Sequence, residues 1–122
     1  MTPMMYQTQA MKTAKDMGSK QMNLIHGALG VSSDAGELVD AIKKHTIYGK
    51  ELDFENVIEE LGDVLWFCAL IAEIVGTNLS VVMEANIAKL AKRYPNKYSD
   101  AAAIARADKI DPRPLFRDTS YD

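Results

Sequence analysis

Residues 64–75 read VLWFCALIAEIV, and Glu73 is their only charge. At helical pitch these apolar side chains surround the whole axis, and such a helix has to be covered on every side. It is too short to span a membrane, so protein must do the covering. In a chain of 122 residues one four-helix subunit covers a central helix poorly. The expectation is therefore a homodimer or homotetramer in which a second copy covers the remaining face.

The rest of the chain fits that helix into an all-α, four-helix bundle-like subunit. Apolar residues recur at helical spacing almost throughout, and no strand-like alternation stands out. A first helix is predicted from Pro3, capped by Thr2, to Gly18. A second covers 20–46, with Gly27 and Gly30 inside it suiting close approach of another backbone or a ligand. The stretch 47–53 reads as a loop ending in the cap Asp53. The third helix runs from Phe54 to about Val75 and is stopped by Gly76. Ser80 is the predicted cap of the fourth, which ends before Pro95. Residues 1–98 are thus read as one helical domain. Residues 99–122 are read as a short helix over SDAAAIARAD followed by an extended or flexible tail.

Composition narrows the function classes. Hydrophobic residues make up 48% of the chain, enough for a packed core. The net charge of −3 and the absence of a long basic run argue against a nucleic-acid polymer as partner. One Cys and two His build neither a disulfide framework nor a zinc set, and Cys68 reads as a small buried hydrophobe. With no basic-then-apolar leader pattern and no membrane span, a soluble cytoplasmic protein is expected.

The informative residues are acids in places that should be dry. A helix advances about 100° per residue, which puts Glu60, Asp63, Val64, Phe67, Ile71 and Ile74 on one stripe. Glu60 and Asp63 therefore continue the core stripe toward the start of the third helix, while Glu55 and Glu59 lie to its side. On the second helix Asn23, His26, Gly30, Ser33, Asp34, Glu37, Ala41 and Lys44 share a face. Asp34 and Glu37 are three apart, as are Glu60 and Asp63, so each pair projects from adjacent turns. A short connection favours antiparallel packing, in which the four carboxylates converge. Left ionised in a partly dry site they would repel and lose hydration, at a cost of several kcal/mol per ion. A hard divalent cation resolves this, and carboxylate-only ligation suits Mg²⁺, or Mn²⁺, rather than zinc.

SDAGELVDAIKKH, ENVIEELGDVLWFCALIAEIVG and EANIAKLAKRYP together resemble the MazG-like all-α nucleoside triphosphate pyrophosphohydrolases, over about residues 23–98. That family carries E-x-x-E on one helix and E-x-x-D on the next. The second half stands here as Glu60 and Asp63. In the first half aspartate holds the leading position, as Asp34 with Glu37, one methylene shorter. The resemblance implies Mg-dependent hydrolysis of a (deoxy)nucleoside triphosphate to the monophosphate and pyrophosphate, in nucleotide pool sanitation or control. It assigns Asp34, Glu37, Glu60 and Asp63 to the metal. Glu37, Glu60 or the adjacent Glu59 would take the proton of the attacking water.

Cations are expected around the triphosphate. Asn86, Lys89 and Arg93 share one face of the fourth helix, which by itself reads as a solvated face; the resemblance makes them phosphate-binding candidates. Lys44 is another, unless it pairs with Asp40. His26 and Asn23, further back along the carboxylate face, are candidates for contact with base or sugar, although a lone histidine at such a position is more often structural. Trp66, off the stripe, is assigned to oligomer packing. Two other readings compete. One is a non-catalytic helical oligomerisation or adaptor protein. The other is a di-iron bundle, which requires Glu-x-x-His pairs that neither His26 nor His45 completes. The preferred base and sugar, and canonical against damaged nucleotides, are not encoded legibly.

Overall fold

Thr2 begins the first helix as expected: its hydroxyl accepts from the Met5 amide at 3.1 Å, with Pro3 at the first helical position. The computed structural model describes residues 1–109. These form α1 (Pro3–Met11), α2 (Lys20–Thr46), α3 (Phe54–Ile74), α4 (Leu79–Arg93), α5 (Asp100–Ala105) and a 3-10 turn at Ala107–Lys109. There is no strand among the described residues. None of the helices alone is long and apolar enough to cross a membrane. The chain divides into two units, residues 1–79 and the stretch from Ser80 onward.

In the first unit α1 stops at Met11, not Gly18. The Ala10 carbonyl is taken by the Trp66 indole N–H at 3.1 Å and by the Thr13 hydroxyl at 2.9 Å. These bonds draw the chain out of the helical path. The connection then turns at Gly18, whose φ is +97°. Ser19 caps α2 by accepting from the Met22 amide, and Asp53 caps α3 by accepting from Asn56. Gly76, at φ +80°, closes α3. Ser80 is not the cap of α4. The helix already begins at Leu79, whose amide donates to the side-chain oxygen of Gln7 at 2.9 Å. A residue on α1 thus satisfies an amide that the start of α4 leaves open.

The core of this unit is Ala10, Ala69, Ala72 and Leu79, with Tyr6, Met11, Trp66 and Cys68 packed against it. Small residues on α3 let α1 lie close. Trp66 belongs here, within one chain: it donates to α1 and meets Phe67 edge-on at 4.9 Å. Its assignment to oligomer packing is corrected accordingly. The opposite side of α3 stays open. Phe54, Ile58, Leu61 and Leu65, spaced 4, 3 and 4, form an exposed stripe, with Leu61 at 48% and Leu65 at 49% exposure. Met22, Ile25, Leu29 and Val39 are likewise exposed on α2. One chain leaves uncovered much of what the sequence requires to be covered.

In the second unit Ser99 caps α5 by accepting from the Ala102 amide. The single helix expected over 99–108 is broken at Arg106, which turns left-handed at φ 49°. The break lets Asp108 reach the guanidinium of Arg93 with two bonds, 2.7 and 2.9 Å. Residues 110–122, where a tail is expected, lie outside the described residues.

Candidate metal and nucleotide site

The site grows out of the contact between α2 and α3. Gly27 faces Ile71, Gly30 faces the Phe67 ring, and Glu37 faces Glu60. Residue numbers rise on one helix as they fall on the other, so the pair is antiparallel. Oxygen atoms of Asp34, Glu37 and Glu60 all lie within 4.8 Å of one another. Three of the four expected carboxylates are therefore gathered. Asp63 is exposed and stands outside that tight cluster. It still lies close enough to raise the carboxyl pKa values of Glu60 and Asp34 by repulsion.

Glu60 is the centre of the cluster. It is 9% exposed, and its Oε2 is buried without a hydrogen-bond partner among the described residues. Burial pushes its carboxyl above the ordinary range; a hydrogen bond with Glu37 and the charges of Glu37, Asp63 and Asp34 push the same way. Asp34 is raised by burial first, then by Asp63 and Glu37. A buried acceptor without a donor calls for an explanation such as an ion. An all-oxygen set of this spread fits a hard divalent cation better than zinc or copper. Glu59 is exposed beside Glu60.

Of the other candidates on α2, His26 meets Phe67 in a T-shaped contact at 5.6 Å, and its Nδ1 is buried without a partner among the described residues. Asn23 is engaged locally: it accepts from the Met17 amide at 2.7 Å and donates to Asp16 at 3.3 Å, closing the α1–α2 connection. Lys44 pairs with Asp40 at 3.0 Å, both largely exposed, a contact worth little on its own. In the second unit Asn86 is exposed and Lys89 half-buried on α4, while Arg93 donates two bonds to the carboxylate of Asp108. These bonds fix the Arg93 guanidinium as an ion-pair partner.

Two residues of α1 carry no motif signal: Tyr6, beside Asp63, and Gln7, at the other end of α3. Tyr6 donates its hydroxyl to the Gly62 carbonyl at 3.4 Å. Its pKa is raised by burial and then by the nearby Asp63. Gln7, on the same helix, is buried and donates to Glu73 at 2.7 Å and to the Thr77 carbonyl at 3.1 Å.

Fold and site together define an all-α domain with an acidic, cation-ready cluster between two antiparallel helices. Residues 28–98 match the model of the MazG nucleotide pyrophosphohydrolase domain, more than half of the chain, and the chain belongs to this family. The resemblance read from the motifs is thereby borne out, as is the all-α fold. No curated protein and no solved structure matches the chain. The matched span contains all four carboxylates and all of α4, but leaves out α1, Asn23 and His26.

Proposed function

We propose that this protein hydrolyses (deoxy)nucleoside triphosphates to the monophosphate and pyrophosphate with Mg²⁺, or Mn²⁺, and serves in the sanitation or control of the cytoplasmic nucleotide pool. The observation that carries the reading is the buried, unpartnered Oε2 of Glu60 amid Asp34 and Glu37 in a MazG-family chain. Asp34, Glu37 and Glu60 would hold the cation, with Asp63 at the margin. When bound, a divalent cation neutralises phosphate charge and polarises the phosphoryl oxygens.

The chain's own role is positioning and proton handling, since phosphoryl transfer leaves little covalent work to the protein. A water oxygen bonds to the α-phosphorus, and the bond from that phosphorus to the α–β bridging oxygen breaks. Pyrophosphate leaves with the electron pair. The water's proton passes to a carboxylate; Glu37 and Glu59, both exposed, are the groups solvent reaches, with Glu60 the buried alternative. Asn86, Lys89 and Arg93 are proposed for the phosphates, together with Lys44. His26, through its unpartnered Nδ1, is proposed for the base or sugar, and Asn23 beside it is retained in that role. Arg93 would serve by releasing Asp108 or by acting as one pair with it.

A panel of NTPs and dNTPs with Mg²⁺, assayed for pyrophosphate and monophosphate, tests this reading. Release of both from at least one nucleotide is expected. No turnover of any nucleotide overturns it and leaves the adaptor reading. A homodimer or homotetramer is proposed as well, supported by the open stripes on α2 and α3. Sedimentation showing only monomer at micromolar concentration overturns the oligomer proposal.

A further inference from the structure

We infer that Gly30, assisted by Gly27, is a positioning residue for the acid cluster: it sets how closely α2 and α3 approach and thereby the size of cation the carboxylates fit. The inference rests on the metal-site reading above. A Cβ built on Gly30 would collide with the Cε1, Cδ1 and Cζ atoms of Phe67, and one on Gly27 would lie 2.7 Å from Ile71 Cγ1. Gly36 and Gly62, in the same two helices and beside the acids, meet nothing within 4 Å. Helical glycines are costly, and only the first pair is matched to a close contact.

Phe67 is poorly placed to yield. Its ring is flanked edge-on by His26 at 5.6 Å and Trp66 at 4.9 Å. Trp66 is in turn bonded to Ala10 and Thr13. A methyl at position 30 therefore acts on the separation of the helices. Between the Gly30–Phe67 contact and the Glu37–Glu60 contact both helices run through two turns, roughly 10 Å. Over that length a helix moves as a rigid rod, and a shift at the glycine reaches the carboxylates. At the far end the buried, unpartnered Glu60 Oε2 marks where a ligand belongs. Mg²⁺ demands oxygen distances of about 2.0–2.1 Å, whereas Ca²⁺ accepts about 2.3–2.6 Å in looser geometry. Widening the gap penalises the small ion and spares the large one.

The test is calorimetric titration of Mg²⁺ and Ca²⁺, without nucleotide, into wild type, Gly30→Ala, Gly36→Ala and Gly30→Ala/Phe67→Leu. Gly30→Ala should weaken Mg²⁺ at least 10-fold and Ca²⁺ less than 3-fold. Gly36→Ala should leave both within 2-fold. Removing ring atoms in the double variant should restore the ratio of the two affinities toward wild type. A merely structural role would weaken both ions alike and leave that ratio unmoved, which would overturn the inference, as would a folded Gly30→Ala with wild-type binding. If Gly30→Ala does not fold, Gly27→Ala replaces it. Its contact, 2.7 Å to Cγ1 of Ile71, is a smaller overlap than that at Gly30, so a ratio shift of 2- to 3-fold is expected and an unchanged ratio overturns the inference. Wild type that binds neither ion defeats the metal-site reading itself, a different result from binding without a change of ratio.

Discussion

Two stretches of one helix pair solve the problem of contact in opposite ways. At Gly27 and Gly30 the helices meet through missing side chains, so tightly that a single Cβ would collide with Phe67 or Ile71. One to two turns on, at Asp34, Glu37 and Glu60, they meet through acids, and the proton affinities of Asp34 and Glu60 are raised there. The first contact is apolar and close; the second is repulsive until something positive enters. The lesson is that the dry half restrains the charged half. Repulsion that would drive a free helix pair asunder is borne by packing elsewhere in the same unit.

The largest way to break this contrast is to remove the repulsion. Glu60→Gln should lower pyrophosphate release by at least about 100-fold, the scale expected when a group central to charge stabilisation is lost. The fold should be kept, and the metal-free melting temperature should not fall. A variant that keeps full turnover would show that the buried acid is not the centre of the site.

Next in size is the packing side. Gln7→Ala leaves the Leu79 amide and the Thr77 carbonyl without their partner. Unmet buried polar groups cost about 1–3 kcal/mol each, and urea titration should register a loss of about 2 kcal/mol. No change in midpoint would mean water serves both groups equally well.

A pH series sharpens the comparison. Glu60 and Asp34 have raised pKa values in the folded chain, so protonation favours folding. Their contribution is fully present below the ordinary carboxylate value, about 4. It is lost as pH rises through their raised values. Without metal, melting temperature should therefore drop as pH rises above the ordinary carboxylate value, and Glu60→Gln should flatten that slope. Added Mg²⁺ should reverse it by favouring the ionised forms. Asp108, lowered to about 2 chiefly by its hydrogen bond to Arg93, acts oppositely. Its contribution is present above about pH 4 and is lost below that, so it does not disturb this window. The smallest effect is expected at Gly36, in open space on α2. Gly36→Ala should stabilise the protein by about 0.5–1 kcal/mol through helix propensity alone, measured by thermal melting. Destabilisation there would deny the distinction between open and packed glycines.

The helices are legible because their signals are local. Thr2, Ser19 and Asp53 precede apolar periodicity, and each accepts the amide three residues on. Glu60 is legible for the same reason, as a charge on an apolar stripe. What escapes depends on partners far along the chain. Spacing makes Gly30 room for a backbone or a ligand, and its partner is a phenylalanine ring. Periodicity sends Trp66 to another copy, yet its indole N–H is taken by α1. Capping preference starts α4 at a serine because the true acceptor, Gln7, lies at a separation of 72 residues. Asp63 shares a stripe with Glu60, but its exposure depends on how the α3 side chains meet α1 and α2, which periodicity does not carry.

The same Gln7 bond has a consequence for how the polypeptide is born. On the ribosome its oxygen emerges 72 residues before the amide it will accept. Until then α1 has its partners on α3, Trp66 and Gly62 among them. Contacts so distant along the chain form late because the intervening loop must first be ordered. The bond from Leu79 to Gln7 is thus a long-range closure, tying the start of α4 back onto α1 across both long helices.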